Sequence, residues 1–237
     1  MARSMKNSGV DWIETIPRYW FIDPIKNLFV FGNGLNITKA DLVEEGCAVI
    51  NSEQILSKKN TGMGVTDELI RYIPRKLANP QSLVKKGDFI FVDRLEDLDS
   101  CGNYVYVDRD DEIYAGHRTI ILRKNNKICY DKYIAYLFKT DCWRKQIRTG
   151  VNVPKFYSIP LCILSRTSLL VPPTSEQKTI ADFLDVKCAE IDRRLDDLDK
   201  EVNTLVEKQK KIEDLESYKS SLIDEYVTFK KQVPYEW

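Results

Sequence analysis

Val171-Pro172-Pro173-Thr174-Ser175-Glu176-Gln177 divides this 237-residue chain into two parts with different periodicities. Two consecutive prolines stop whatever precedes them, because neither offers an N–H to a ladder or a helix. Thr174 then supplies an N-cap hydroxyl, with Gln177 its capping-box partner three residues on. Glu176 adds a carboxylate in the first turn, where the helix dipole favours negative charge. No Gly follows, and no Pro before Pro234. The stretch predicts one uninterrupted helix from about 175 to about 229, roughly 80 Å long at about 1.5 Å per residue.

Downstream, Leu184, Cys188, Ile191, Leu195, Leu198, Val202, Leu205 and Ile212 follow alternating spacings of four and three, with Gln209 the polar member. That is a coiled-coil seam of about four heptads. Beyond Ile212 it slips by one, like a stammer, and continues through Leu215, Leu222 and Tyr226, with Lys219 on the slipped line. Asp185, Glu190, Arg193, Arg194, Asp196, Asp197, Lys200 and Glu201 flank it. A helix lying on its own domain is the alternative, but so narrow and long a stripe fits a partner helix better. The chain has no second helix of this kind, so the expected partner belongs to another chain.

Upstream, apolar residues fall in short clusters separated by turns. Ile25–Gly32, Gly87–Asp93, Tyr104–Val107 and Thr119–Leu122 read as strands of one sheet, and residues 130–147 as a helix. The expected fold class is α+β: a mixed sheet/helix domain over 1–173, one long coiled-coil α-helix over 174–232 and a tail over 233–237. Charge splits at the same place. Residues 1–173 carry 25 Lys+Arg against 20 Asp+Glu, residues 174–237 carry 11 against 16, and the total is zero.

Chemistry is poorly provided for. Six cysteines form no CxxC pair, and the start lacks an apolar export segment, so reduced thiols in a cytoplasmic protein are expected. No apolar run has the roughly 18–20 residues of a membrane span. The one histidine, His117, would have to serve any Ser/His/Asp or Cys/His site, and metal binding would lack ligands. Carboxylates at Asp93, Glu96, Asp97, Asp99, Asp108, Asp110, Asp111 and Glu112 read as solvated loops, with no lysine at the spacing of a restriction-type nuclease. Gly32-Asn33-Gly34 is too short to cradle phosphates.

One segment is distinctive. Residues 118–155 hold ten Lys+Arg against Asp131 and Asp141. Such clustering suits a polyanion, because each neutralised phosphate releases counterions; a solvated basic helix face is the other reading. The residues expected to form the basic, DNA-binding surface are Lys58, Lys59, Lys85, Arg118, Arg144, Lys145, Arg148 and Lys155.

Three stretches together resemble one family, the specificity (S) subunits of type I restriction-modification systems. Ser8-Gly9-Val10-Asp11-Trp12-Ile13-Glu14-Thr15-Ile16-Pro17-Arg18-Tyr19-Trp20 is similar to the start of their target-recognition domain. Val92–Asp97, followed by Tyr114–Arg123, resembles a segment inside it. Pro172-Pro173-Thr174-Ser175-Glu176-Gln177-Lys178-Thr179-Ile180-Ala181-Asp182-Phe183-Leu184-Asp185, with the stretch to Val227-Thr228, is similar to the family's spacer helix.

The resemblance implies a non-catalytic subunit that reads double-stranded DNA. It would scaffold modification (methyltransferase) subunits that bind S-adenosylmethionine, itself binding no cofactor or metal; the restriction (nuclease-translocase) subunit joins the assembly. A usual member carries two recognition domains and two spacer helices, and this chain has one of each. The expectation is a half-length form that pairs its helix antiparallel with a second copy, as a homodimer, and reads an inverted-repeat bipartite site. One half of a hetero-pair and a truncation product are the other readings of that departure. From another class, a coiled-coil adaptor whose globular head binds protein also fits the layout.

Overall fold

A computed structural model describes residues 3–95, 100–125, 129–150, 157–158 and 161–227. Contacts divide the chain into two compact units, Met1–Asp182 and the chain from Phe183 onward. In chain order the strands are β1 (Met5–Val10), β2 (Ile13–Pro17), β3 (Phe21–Pro24), β4 (Phe29–Asn33), β5 (Cys47–Ile50), β6 (Arg71–Ile73), β7 (Leu83–Val84), β8 (Phe89–Val92), β9 (Arg94–Leu95), β10 (Tyr104–Tyr106), β11 (Ile113–Ala115), β12 (Thr119–Lys124), β13 (Tyr157–Ser158) and β14 (Ser168–Val171). The helices are α1 (Ile25–Leu28), α2 (Ser52–Leu56), α3 (Asp131–Lys139), α4 (Asp141–Gly150), α5 (Leu161–Arg166) and α6 (Thr174–Val227).

The four segments read as strands do form one antiparallel sheet, ordered β10-β8-β12-β4. Every residue of β8 is buried, which is why Phe89-Ile90-Phe91-Val92 shows no polar alternation. The Phe138 ring of α3 meets Phe89 and Phe91 edge-on at 5.1 Å, and Trp143 of α4 lies 4.4 Å from Phe138. These aromatic contacts anchor the helix pair to the sheet. A second sheet, β6-β5-β11-β7, contains the parallel pair β5/β11 and escaped the sequence reading. Its strands are two to four residues long, and their pairing joins segments far apart in sequence.

Two local expectations change. The strand placed at residue 25 starts at Phe29, because Ile25–Leu28 is a helical turn. Pro24 precedes it at φ −56°, and Ile25 and Leu28 are both buried. That spacing of three is a helix spacing. The helix expected over 130–147 is two helices, because Thr140 is extended, at ψ 141°. Its Oγ1 donates to the Leu137 carbonyl and accepts the Trp143 N–H at 3.4 Å, so one hydroxyl closes α3 and caps α4. The first turns of α6 group with the globular unit through Asp182, and Gln177 and Ala181, four residues apart on that helix, are fully buried. The tail 233–237 and the end of the expected helix, 228–232, lie outside the described residues.

The ends of the globular unit are tied together. β3 pairs antiparallel with β14, Val171 opposite Phe21, immediately before the two prolines. The Pro173 carbonyl accepts the N–H groups of Glu176 and Gln177 at 2.9 and 3.0 Å, starting α6.

Candidate nucleic-acid interface

A basic run in sequence becomes an interface only if its charges are free to meet an anion. At least four of the ten cations in 118–155 are engaged within the domain. Arg123 lays its guanidinium on the buried Asp88 carboxylate, with Nε and Nη2 at 3.0 and 2.6 Å, and donates to the Leu83 carbonyl at 2.9 Å. Asp88 holds the Arg123 pKa above its ordinary value. Lys124 pairs with Asp131 and donates to the Cys129 carbonyl at 3.0 Å. Arg144 is half-buried and donates from Nε to the Phe138 carbonyl at 3.3 Å; burial pulls its pKa down. Arg148 pairs with Asp141 at 2.6 Å. A structural use of Arg144 and Arg148 was invisible in the charge count.

Arg118, Lys139 and Lys145 are exposed, as are Lys58, Lys59 and Lys85. Lys59 forms a surface pair with Glu68 at 3.0 Å, a contact weak enough to exchange for a phosphate. Lys155 lies outside the described residues.

The structure brings part of this set together. A recess of about 60 Å³ is lined by Ser57, Asn60, Thr61 and Asn103 together with Lys139 and Arg144. Lys58 and Lys59 belong to the same loop as Ser57 and Asn60. That volume admits about two waters, so the rim suits phosphate oxygens rather than a base. Asn60 shapes the loop: its amide donates to the Ile55 and Tyr104 carbonyls at 2.8 and 2.9 Å and accepts from the Gly62 N–H at 2.9 Å. Neither Asn60 nor Lys139 was expected, and only Lys139 had a signal, its place in the basic run. Lys145 lines a different cleft, of about 600 Å³, with Asp11, Trp12, Gln146 and Thr149. Lys85 and Arg118 sit on other turns. Arg118 adopts φ +55°, and its carbonyl accepts the Asp93 N–H at 3.0 Å.

Several of the described carboxylates are bonded within the domain. Asp108 accepts the Val65 N–H at 2.9 Å, Arg109 bridges Asp67 and Asp111, and Glu112 accepts from the Tyr114 hydroxyl. Glu96, Asp97 and Asp99 lie outside the described residues. Among the described residues no three His, Cys, Asp or Glu side chains converge as metal ligands. None of the described helices is long and apolar enough to cross a membrane.

The start of α6 gathers the stretches that stood apart in sequence. Glu176 accepts the Trp20 indole N–H at 2.9 Å and pairs with Arg3. Burial raises the Glu176 pKa, but the bonds from Trp20 and Arg3 outweigh it and hold the carboxyl below its ordinary value. Gln177 accepts the Tyr130 N–H at 2.8 Å and donates to the Pro172 carbonyl at 2.7 Å.

A family model for the type I restriction modification DNA specificity domain matches residues 24–214. The chain belongs to that family. Its members are non-catalytic DNA-specificity domains. The fold agrees with two solved structures. One is the crystal structure of the HsdS subunit from Thermoanaerobacter tengcongensis, at TM-score 0.54 and 14% identity over 79% of this chain and 40% of that one. The other comes from work on complex assembly and conformational transition of the type I R-M system, at TM-score 0.55 and 15% identity over 79% of this chain and 42% of that one. The chain thus spans about two-fifths of the length of the structures it matches. No curated protein matches it in sequence. Within this specificity domain, Trp20, Glu176 and Gln177, all in stretches that carry the resemblance, are framework residues, joined to one another or to neighbouring backbone.

Past Asp182, α6 carries the seam. Ile191, Leu195, Leu198, Val202, Leu205, Ile212 and Leu215 are between 50% and 66% exposed. Leu184 and Cys188 are already half-covered, and the side chains of Leu222 and Tyr226 lie outside the described residues. Phe183, Val186, Val206 and Tyr218 are also exposed and lie off the seam read from the sequence.

Proposed function

We propose that the chain reads one half of a bipartite double-stranded DNA site, and that two copies pair antiparallel through α6 to hold two such readers a fixed distance apart. Modification subunits carrying S-adenosylmethionine would dock on this scaffold in the cytoplasm, with the restriction subunit joining them. The observation that carries the reading is the apolar seam of α6, exposed from Ile191 to Leu215 in a chain of the DNA-specificity family. A run of seven large apolar side chains, six of them in one heptad register and Leu215 just past the slip, favours a covering partner. The family makes DNA, rather than a protein, the object of the globular unit, which disfavours the adaptor reading. Lys58, Lys59, Lys139 and Lys145 supply phosphate contacts that position the reader.

Footprinting of the chain assembled with its modification subunit tests this. The expected result is two protected segments related by a two-fold axis and separated by an unread spacer. A single protected segment, at any stoichiometry, would overturn the paired arrangement.

A further inference from the structure

The edge strand β4 runs out through Gly32 and Asn33 into Gly34, a motif too short for a phosphate loop. It forms one lip of a cleft of about 560 Å³, whose other lip is residues 79–82. None of the side chains lining this cleft is charged, while four are carboxamides: Asn33, Asn36, Asn79 and Gln81. All four are exposed. Among the described residues, the side chains of Asn33, Asn36 and Gln81 make no hydrogen bond, whereas Asn79 accepts the Gln81 N–H at 3.0 Å.

The lips are fixed, not loose. Ser82 Oγ donates to the Asn33 carbonyl at 2.9 Å, and the Gly34 and Leu35 N–H groups donate to the Thr119 and Ala115 carbonyls at 3.0 and 2.8 Å. A Cβ at Gly34 would lie 2.0 Å from the Gly116 carbonyl oxygen, so only glycine lets the strand pass there. A fixed backbone frame spares binding the cost of ordering the loops, leaving only the amide rotamers to be fixed. Arg75 and Lys76, both exposed, lie on the 3-10 turn Arg75–Leu77 that leads into Asn79, so phosphate contacts are available close by in the chain.

A neutral carboxamide is poor at holding phosphate, which wants Lys or Arg. It places a donor beside an acceptor, the complement of the N7 acceptor and N6 donor that adenine shows in the major groove. We propose that this amide-framed cleft is the base-edge reader of the domain, with Asn36 and Gln81 reading adenine and Arg75 and Lys76 holding adjacent phosphates. The proposal rests on the DNA-reading function above.

The test is enrichment from a randomised duplex library by the full chain with its modification subunit, comparing wild type, Asn36→Ala, Gln81→Ala, Gln81→Glu and the pair Arg75→Ala/Lys76→Ala. Wild type should enrich a consensus containing adenine. Each alanine variant should lose roughly 10- to 100-fold discrimination at one position, and Gln81→Glu should turn its position toward cytosine, whose N4 only donates. The Arg75/Lys76 pair should weaken binding evenly and leave the consensus intact. A consensus unchanged in the Asn36 and Gln81 variants overturns the cleft as the reader and leaves the DNA-reading function standing. No enrichment by wild type overturns both.

Discussion

Replacing Leu195 and Leu198 together by Asp strikes the middle of the α6 seam. In a single chain these side chains are 53% and 55% exposed, so about half of each remains to be covered by a partner. Full burial of a leucine is worth about 1.5–3 kcal/mol, so the remaining half contributes about 1 kcal/mol. A two-fold pair contains four such side chains, giving about 4 kcal/mol before any cost of placing carboxylates in the seam. At about 1.4 kcal/mol per factor of ten, the dimer dissociation constant should rise by about three orders of magnitude. Sedimentation at micromolar concentration reads this directly: wild type near twice the 27.6 kDa of one chain, the variant at 27.6 kDa. Both positions are exposed, so the near-ultraviolet signal of the Phe138–Trp143 cluster should not change. Lys200→Ala, on the charged flank with only a 3.4 Å pair to Asp197, should leave the association as it was. Wild type sedimenting as a clean monomer, or the double variant pairing as tightly as wild type, would refute the reasoning.

Three further outcomes are expected. Gln177→Ala strips partners from the part-buried Tyr130 N–H and the buried Pro172 carbonyl; at about 1–3 kcal/mol for each stranded group, unfolding in urea should shift by about 2–6 kcal/mol. Because Glu176 is held below its ordinary pKa, the stability it contributes is fully present above the unfolded carboxyl value of about 4.3 and is lost as pH falls through its folded value; thermal melts in acid should show this loss, and Glu176→Gln should flatten it. Charge reversal of Lys58 and Lys145 should weaken DNA binding and reduce the salt slope by about 0.9 for each phosphate no longer neutralised, whereas Arg144→Glu, half-buried against the Phe138 carbonyl, should lower the melting temperature first.

What could be read from the sequence depended on how local its cause is. The long helix was legible because its cap, its heptads and its lack of Gly and Pro all lie on one stretch. The central sheet was legible because Phe89–Val92 and Thr119–Leu122 are buried on both faces and so are continuously apolar. Ile25–Leu28 misled because two apolar residues flanking Lys26 and Asn27 serve a helical turn as well as a strand, and the spacing of the buried pair decides between them. The break at Thr140 did have a signal, a threonine followed by Asp141, but the apolar periodicity ran across it. The second sheet had none, since β5 and β11 pair across an interval that no local pattern spans. The basic surface was half legible: the cations are visible as letters, yet Arg123 is spent on Asp88, 35 residues away, and only the fold says so.

Several of the residues that carry the family resemblance are already engaged within the domain. Glu176 is occupied by Trp20 and Arg3, and Gln177 by two backbone groups. Gly116 has no room for a side chain, since a Cβ there would lie 1.9 Å from Asn51 Oδ1, and that same oxygen accepts the His117 N–H at 2.9 Å. Each is held by a partner from elsewhere in the globular unit, so each is costly to change whatever sequence is recognised. A group that reads bases must meet the opposite condition, with polar atoms free in the unbound protein and an exposed place on a fixed frame. Asn36 and Gln81 meet it, and so do Lys58, Lys139 and Lys145. Exchanging the Asn36 and Gln81 lips between two members of the family should therefore move base preference without moving the melting temperature, and exchanging the Trp20–Glu176 contact should do the reverse.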